Sequence, residues 1–293
     1  MKSHSPILQP VRIAVWRARA RRYLASHPTE RDAIRSNRVL RDQHYGKRCF
    51  ILGNGPSLLD DNLSALDGEI LFTVNNLDAM EIGAPMPRYH VISDRRFFSM
   101  DVNSPTDRAM VERLVRITSK RRGDSQQPPT TFVPSSEIGR MESFASGRTY
   151  DMRYFCNPYY FSDFYEVSTD ISQVIPRFSS VIQHAVIIAM HLGFKEIYLL
   201  GCDTTNIVAN IQTALEQSVS DSYAYAVTHD IDQWFREQYL KRDMERCAES
   251  FLEVLVAFRF LSAYCRRRGV DLVNCSSRTV VESIVRSPLV DVL

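Results

Sequence analysis

A glycine-rich turn is the stretch of this sequence with the clearest capacity for chemistry, and residues 49–58 read Cys-Phe-Ile-Leu-Gly-Asn-Gly-Pro-Ser-Leu. The four apolar residues predict a buried parallel strand, and Gly53 and Gly55 predict a tight turn that lets a ligand approach the backbone. Pro56 favours the first turn of a helix, where the Ser57 hydroxyl can cap open amides. Such a turn favours a bound anion by about 0.3–1 kcal/mol.

The familiar phosphate motifs do not identify this anion. The dinucleotide fingerprint requires a third glycine where Leu58 stands, and a P-loop requires a lysine that does not follow here. Asn54 adds an amide that can bind a ribose, a base or a phosphate. The alternative is a strand-to-helix turn that serves the fold alone.

Two further predicted strands, at residues 70–74 and 89–92, also end in polar side chains. In an open parallel sheet, ligands bind beyond the carboxyl ends of the strands, so these side chains are expected to converge near the glycine turn. They are Asn75, Asn76, Ser93 and Asp94.

The second half of the chain predicts the rest of an α/β fold. Ser179 and Ser180 precede an apolar segment, residues 181–192, that predicts a buried helix. A strand at residues 196–200 follows and ends near Asp203, which completes half of a βαβ unit. Further elements are predicted as a strand at 131–133, a long helix at 238–267 and a last strand at 270–277. We expect a Rossmann-like, mostly parallel sheet flanked by helices.

Three parts are predicted along the chain. Residues 1–47 form a basic helical extension, residues 48–285 a Rossmann-like nucleotide-binding catalytic domain, and residues 286–293 a tail. The aromatic-rich run at 150–165 suits a lid, an acceptor-binding wall or a small separate core. A polar, lid-like insertion at about residues 204–235 carries Tyr223, Tyr225, His229 and Trp234.

The composition is that of a soluble globular protein, with 44% hydrophobic and 24% charged residues among 293. No apolar run approaches the length of a transmembrane helix and no apolar signal core begins the chain, so we expect a cytoplasmic protein. The six cysteines form no CxxC pair, which predicts reduced thiols rather than disulfides or zinc ligands.

Basic charge is concentrated at the beginning of the chain. Residues 1–48 contain 12 Lys/Arg and 3 Asp/Glu, although the net charge of the whole chain is +2. Residues 10–24 predict a helix that is arginine-rich except on one face, which carries Ile13, Trp16, Ala20 and Tyr23. Such a helix can lie on an anionic membrane surface, dock on the main domain or pair with another subunit. No nucleic-acid-binding motif accompanies the charge, so nucleic acid is not an expected partner.

Two blocks of the sequence together resemble a known group of enzymes. Residues 51–58 contain the glycine turn, and residues 180–203 end in Leu-Gly-Phe-Lys-Glu-Ile-Tyr-Leu-Leu-Gly-Cys-Asp. The pair resembles bacterial sialyltransferases of glycosyltransferase family 42 and, more closely, the broader MptE-like family that shares their Rossmann-type domain. The resemblance covers roughly residues 48–285, with little similarity between the two blocks.

The resemblance implies a metal-independent glycosyltransferase without a cofactor, which uses a nucleotide sugar to build a surface glycan. The expected donor is CMP-activated and carries a sialic acid or another nonulosonate. Its binding residues would be Gly53, Asn54 and Gly55 at the turn, Asn75 on the nucleotide, Ser93 and Asp94 beside it, and Ser179 and Ser180 near the cytidine. Ser57 joins this donor-binding set as part of the turn.

The resemblance also implies catalytic residues. Tyr223 and Tyr225 are the candidates to bind the departing phosphate, and Asp203 or Asp94 would orient the acceptor or the sugar. The sialyltransferases use a histidine as general base shortly before the long C-terminal helix, and no histidine falls at that place here. His229 is the nearest one, and its unperturbed pKa near 6.5 suits a base.

Two other functions stay open. The archaeal branch of the MptE-like family transfers diphosphate from ATP to a hydroxymethylpterin, which needs Mg²⁺ held by carboxylates such as Asp94 and Asp203. A non-catalytic nucleotide-binding or assembly protein would use the basic N-terminal helix as its contact surface. The expected partners are a nucleotide sugar and a glycan acceptor, and both homo-oligomer formation and peripheral contact with the inner face of the cell membrane are left open.

Overall fold

The computed structural model describes residues 9–101, 104–119, 127–140, 150–161, 168–215, 223–224, 229–239 and 243–293. The helices in these ranges are α1 (Gln9–Ser26), α2 (Pro28–Arg35), α3 (Pro105–Thr118), α4 (Val181–His191), α5 (Asn206–Ala214), α6 (His229–Tyr239) and α7 (Met244–Arg267). The strands are β1 (Arg48–Leu52), β2 (Leu71–Val74), β3 (Tyr89–Val91), β4 (Thr130–Pro134), β5 (Asp151–Phe155), β6 (Glu196–Leu200), β7 (Asp271–Asn274) and β8 (Val285–Arg286).

These strands form one sheet in the order β5-β4-β3-β2-β1-β6-β7-β8, and each neighbouring pair is parallel. The sheet grows from β1 to β5 on one side and from β6 to β8 on the other. β1 and β6 therefore flank the point where the strand order reverses, which is where open α/β sheets bind ligands. The predicted Rossmann-like, parallel architecture with flanking helices is confirmed.

Helix α4 covers the centre of the sheet. It is apolar on most sides because it packs on β1, β2 and β3 and also against α7. Ser180 precedes its first turn in an extended conformation, and the Ser180 N–H donates to Gln183 Oε1 (3.3 Å), as in a capping box. Gln183 Nε2 donates in turn to the carbonyl of Val254 in α7 (2.8 Å). These contacts fix the beginning of α4 at the carboxyl edge of the sheet.

The basic N-terminal extension docks on the main domain through its aromatic face. Trp16 and Ala20 are only 6% and 8% exposed. They belong to a small apolar cluster with Ile34, Cys156 and Val174. Of the three alternatives for this face, the structure supports docking, and the buried face is not open to a membrane.

The aromatic-rich run contributes to the same cluster through Tyr154 and Tyr159, which supports the interpretation as a small separate core. Tyr160 is different, because 55% of it is exposed. Residues 162–165, which complete the predicted run, lie outside the described ranges.

Several boundaries differ from the sequence prediction. Pro56–Asp60 is a short 3₁₀ helix rather than the start of an α-helix. The long C-terminal helix begins at Met244. The predicted tail packs on the same body, because Leu289 is buried and the Arg48 guanidinium donates to the Val292 carbonyl (2.7 Å). The insertion is not one polar loop, since it contains α5 and the first turns of α6.

All six cysteines are buried free thiols, as expected. Among the helices described above, none is long and apolar enough to cross a membrane.

Candidate functional site

The glycines of the turn after β1 pack closely against the turn after β6. A Cβ on Gly53 would overlap the carbonyl of Gly201 and would lie 2.9 Å from Ile182 Cδ1. A Cβ on Gly55 would lie 2.6 Å from Asp203 Oδ1 and 2.7 Å from the Gly201 carbonyl oxygen. The neighbouring turn fills the space where a Cβ would stand, so both glycines are needed for the packing between the two turns. Gly55 also lines one of the pockets described below, so the approach of a ligand to the backbone stays a prediction at that glycine.

The backbone amides of the same turn are bonded within the protein. The Gly53 N–H donates to the Leu200 carbonyl (2.7 Å). The Gly55 N–H donates to the Gly201 carbonyl (2.9 Å). A phosphate would have to compete with these bonds, so the predicted anion site of open amides is not formed by these two glycines.

Ser57 and Asp203 form a buried clamp between the two turns. The Ser57 N–H donates to Asp203 Oδ2 (2.9 Å), and the Ser57 hydroxyl donates to Asp203 Oδ1. Burial raises the pKa of Asp203 in spite of these two hydrogen bonds. Ser57 and Asp203 hold the two turns together and do not line the pockets described below, so the geometry does not support their predicted roles in donor binding and catalysis.

Substitution of Asp203 tests the structural role. Asp203→Ala leaves the buried Ser57 N–H without an acceptor, so we expect the free energy of unfolding to fall by about 2 kcal/mol. Asp203→Asn can still accept from that N–H and can donate to the Ser57 hydroxyl. We expect this variant to be at least as stable as the original protein at pH 7, as measured by urea unfolding.

The stability of the Asp203→Asn protein should also depend on pH differently from that of the original protein. Because the folded-state pKa of Asp203 is raised above 3.8, its protonated form is favoured by folding. The resulting stability is complete below the unfolded pKa and is lost as the pH rises through the folded pKa. Between about pH 4 and 7, the Asp203→Asn protein should therefore lose less stability than the original. If the Asp203→Asn protein keeps its free energy of unfolding but no longer transfers the sugar, the result would instead support a catalytic role for Asp203.

A pocket of about 210 Å³ opens at the switch point between β1 and β6. We call it the amide pocket, because side-chain amides and hydroxyls at the strand ends form much of its wall. These residues are Asn54, Asn75, Asn76, Ser179, Ser180, Thr204 and Thr205, and Gly55, Asp94 and Tyr223 also line it. The structure thus brings most of the predicted donor-binding residues to one place, whereas Gly53 does not line this pocket.

Asn75 is held in a backbone conformation that few residues adopt, with a φ of 51°. The side chain of His90 stabilises this conformation through a hydrogen bond to the Asn75 carbonyl. Burial lowers the pKa of His90 to about 4, so its ring is neutral. The ring accepts from the Thr73 hydroxyl at Nδ1 (2.8 Å) and donates from Nε2 to the Asn75 carbonyl (2.8 Å). Thr204, in the same pocket, has a φ of 58°. Residues held in such conformations are concentrated at functional sites.

The amide pocket contains an unsatisfied acceptor. Asn54 Nδ2 donates weakly to Asn76 Oδ1 (3.4 Å), but Asn54 Oδ1 is buried and accepts no hydrogen bond from the described residues. The Asn54 carbonyl accepts from the Ala224 N–H (3.0 Å), which fixes the segment beside Tyr223 across the turn. A buried acceptor without a donor costs free energy, so Asn54 is suited to receive a ligand hydroxyl or amine.

A second pocket of about 320 Å³ continues from the amide pocket. The two share Asn75, Asp94, Arg96, Ser179 and Val181. We call it the arginine pocket, because Arg95, Arg177 and Arg246 also line it, together with Ser93 and Asn210. Asn210 is 7% exposed, and its Oδ1 finds no hydrogen-bond partner in the part of the chain that the structure covers.

Arg177 and Arg95 bring positive charge to the arginine pocket, and at Arg177 the nearby Asp94 and Glu137 offset it only in part. Across the described ranges, no carboxylate lies within ion-pair distance of either guanidinium, and the nearby Asp94 pairs with Arg96. Burial, and then the proximity of Arg95, lowers the pKa of Arg177, whose guanidinium lies 4.6 Å from the centre of the Tyr160 ring. A partly buried guanidinium without a carboxylate is suited to bind a phosphate through two parallel hydrogen bonds.

The beginning of α4 adds to this charge. Ser179, Ser180 and Val181 line the pockets, so the positive end of the helix dipole faces them. The start of α4 and its arginines are therefore a better candidate for an anion site than the turn after β1. Sequence reasoning missed it, although Arg177 stands just before the helix cap and Arg95 follows a predicted strand end directly.

The other predicted catalytic residues fall in different places. Tyr223 lines the amide pocket, and Tyr225 lies outside the described residues. His229 is exposed at the start of α6 and lines neither pocket. α6 packs through Ile231 and Trp234, which are buried. The structure does not bring His229 to the site, so its role as general base is not supported by the geometry.

The two carboxylates considered for Mg²⁺ are engaged. Both oxygens of Asp94 accept from Arg96 Nε (2.9 and 3.0 Å), and both oxygens of Asp203 accept from Ser57. In the described part of the chain, no group of three or more His, Cys, Asp or Glu is arranged to hold a metal ion. Mg²⁺ would have to compete with these hydrogen bonds for Asp94 and Asp203.

Comparison with known proteins does not assign a family. A scan against protein-family models found no match, and a search of curated proteins found no significant match. The resemblance to glycosyltransferase family 42 and the MptE-like family therefore stays a prediction from the sequence.

Proposed function

We propose that the protein is a glycosyltransferase that binds a nucleotide-sugar donor across the two pockets. The nucleoside would lie in the amide pocket, and the phosphate would lie in the arginine pocket. The observation that carries this proposal is the partly buried guanidinium of Arg177, which has no carboxylate partner in the described ranges and lies beside the start of α4. A phosphate would supply the missing negative charge.

The reaction would use this charge at the step that breaks the sugar–phosphate bond. The bonding electrons leave with the phosphate, and Arg177, Arg95 and the positive end of α4 would stabilise the departing nucleotide. Positive side chains can do this without a metal ion, which agrees with the expected metal-independent chemistry. A CMP-activated nonulosonate as donor and a surface glycan as product are expectations from the resemblance alone.

Two alternatives make different demands on the same pockets. A diphosphokinase would need Mg²⁺ ligands other than Asp94 and Asp203 in their observed contacts. A non-catalytic nucleotide-binding protein would need no base, and the position of His229 is compatible with it. The nucleotide that binds, and whether it needs Mg²⁺, distinguishes the diphosphokinase from the proposed glycosyltransferase. Turnover of a nucleotide sugar distinguishes the non-catalytic binding protein from it.

A thermal-shift series tests the donor class. We expect CMP to raise the unfolding temperature in the presence of EDTA by roughly 5–10 °C at 100 times its Kd, since such binding adds about 2.7 kcal/mol. CDP, UDP, GDP and ATP, each with EDTA and with Mg²⁺, complete the comparison. Release of CMP from CMP-sialic acid with the metal chelated would then show turnover.

The outcomes separate the three functions. Stabilisation by ATP only when Mg²⁺ is present would favour the diphosphokinase. Stabilisation by a nucleotide without transfer or hydrolysis of its sugar would favour the binding protein. If no nucleotide alters the unfolding temperature, the proposal is wrong.

A further inference from the structure

We propose that α1 binds the surface of an anionic membrane through the face that points away from the main domain. The side of α1 that carries Trp16 and Ala20 is docked, as described above. The opposite side carries small and apolar residues at the spacing of a single stripe along a helix. This outward stripe consists of Val11, Ala14, Val15 and Ala18.

The outward stripe is open to solvent. Val11 and Val15 are 58% and 54% exposed, and Ala14 and Ala18 are also exposed. The helix therefore has two apolar faces, and only one of them is covered by the described residues. Exposed valines at adjacent turns are unfavourable in water and favourable at the boundary between headgroups and acyl chains.

The charge beside the outward stripe selects the partner. α1 contains five arginines and no acidic residue, and Arg21 and Arg22 are exposed next to the stripe, whereas the Arg19 guanidinium lies 4.8 Å from the centre of the Tyr159 ring on the docked side. The acidic residues of the neighbouring α2 are already engaged, because Glu30 accepts from Tyr23 and Asp32 pairs with Arg31. Each arginine near a negatively charged leaflet adds about fivefold to binding.

Two other partners fit this surface less well. A second copy of the chain, paired through the same face, would bring two sets of five arginines together. Single-stranded RNA would match the charge, but it would gain little from the valines. An anionic bilayer satisfies both the charge and the apolar stripe, and this contact does not depend on the reaction proposed above.

Sedimentation of the full chain with vesicles tests this proposal. We expect the protein to bind vesicles that contain roughly one third phosphatidylglycerol in phosphatidylcholine, and not pure phosphatidylcholine. Binding should weaken as the salt concentration rises, because the attraction is screened. Equal sedimentation with both vesicle types, or with neither, would overturn the proposal.

Matched pairs of variants separate the valines from general charge. Val11→Glu with Val15→Glu should weaken binding at least tenfold. Val285→Glu with Val290→Glu changes the net charge equally at residues that are 63% and 79% exposed, and it should have little effect. Arg21→Gln with Arg22→Gln should weaken binding roughly tenfold or more, compared with Arg259→Gln and Arg278→Gln, which are exposed elsewhere.

Tryptophan fluorescence can detect contact between the outward stripe and the membrane directly. Both natural tryptophans, Trp16 and Trp234, are buried, so a Val15→Trp variant places a new indole in the outward stripe. Its emission should shift to shorter wavelength with anionic vesicles, because tryptophan favours the membrane interface. Unchanged emission, or vesicle binding that survives the paired Val→Glu change and is competed by single-stranded poly(U), would overturn the membrane assignment.

Discussion

Replacement of Gly53 or Gly55 by alanine is expected to lower the free energy of unfolding by about 3 kcal/mol. The added methyl group at either position meets the turn after β6 at distances that real Cβ atoms do not adopt. The atoms that would have to move include the Gly201 carbonyl and the Asp203 carboxylate, which belong to buried, hydrogen-bonded backbone and side chain. Urea unfolding of the single variants measures this loss directly.

Gly139→Ala is the matched control, because a Cβ at Gly139 meets no atom of the described residues within 4 Å and needs no unusual φ. Its effect on stability should stay within about 0.5 kcal/mol. A stable Gly53→Ala or Gly55→Ala protein that had lost nucleotide binding would contradict the packing argument. It would restore the interpretation of these glycines as the place where a ligand approaches the backbone.

Arg177→Met is expected to weaken nucleotide binding by about 100-fold without destabilising the protein. The guanidinium has no carboxylate partner in the described ranges, so its removal leaves no acid unpaired. Methionine preserves much of the apolar contact and removes the cost of partly burying a charge. We therefore expect the free energy of unfolding to stay unchanged or to rise by about 1 kcal/mol.

Isothermal titration with the nucleotide that stabilises the original protein, together with urea unfolding, measures both effects. Arg259→Met changes the same charge at an exposed position of α7 and should leave nucleotide affinity unaltered. Arg177→Lys keeps the charge but loses the paired hydrogen bonds, so it should fall between the two. A loss of about 3 kcal/mol in Arg177→Met would instead identify a structural charge pair, and unchanged affinity would remove Arg177 from the site.

Local sequence patterns predicted the parallel sheet and the edge at which its strands end. Apolar runs of four or five residues predicted β1, β2 and β6, and polar residues at their ends indicated the edge of the sheet where the two pockets lie. The apolar segment after Ser180 predicted α4 to within one residue. These patterns are readable because strand and helix periods arise from neighbouring residues.

The roles of individual polar residues were less accessible. The resemblance implied that Asp203 orients the acceptor or the sugar, yet it accepts two hydrogen bonds from Ser57, a residue 146 positions earlier. His229 was expected to be the base because it is the histidine nearest to the place where the similar sialyltransferases carry theirs, yet it is exposed at the start of α6. Arg177 was not among the predicted site residues, although its position shortly before the Ser180 cap of α4 can be read from the sequence.

The sequence alone predicted a parallel α/β sheet, polar asparagine and serine side chains after its strands, and a basic first helix. Only the tertiary structure decided which of the edge residues line the pockets and which hold two turns together. It also decided that the aromatic face of α1 is buried and that positive charge gathers at the start of α4. The reason is that β6 pairs with β1 although the two strands are far apart in the sequence. Local patterns of apolar and polar residues predict single strands and helices, but they do not show which distant residues come into contact.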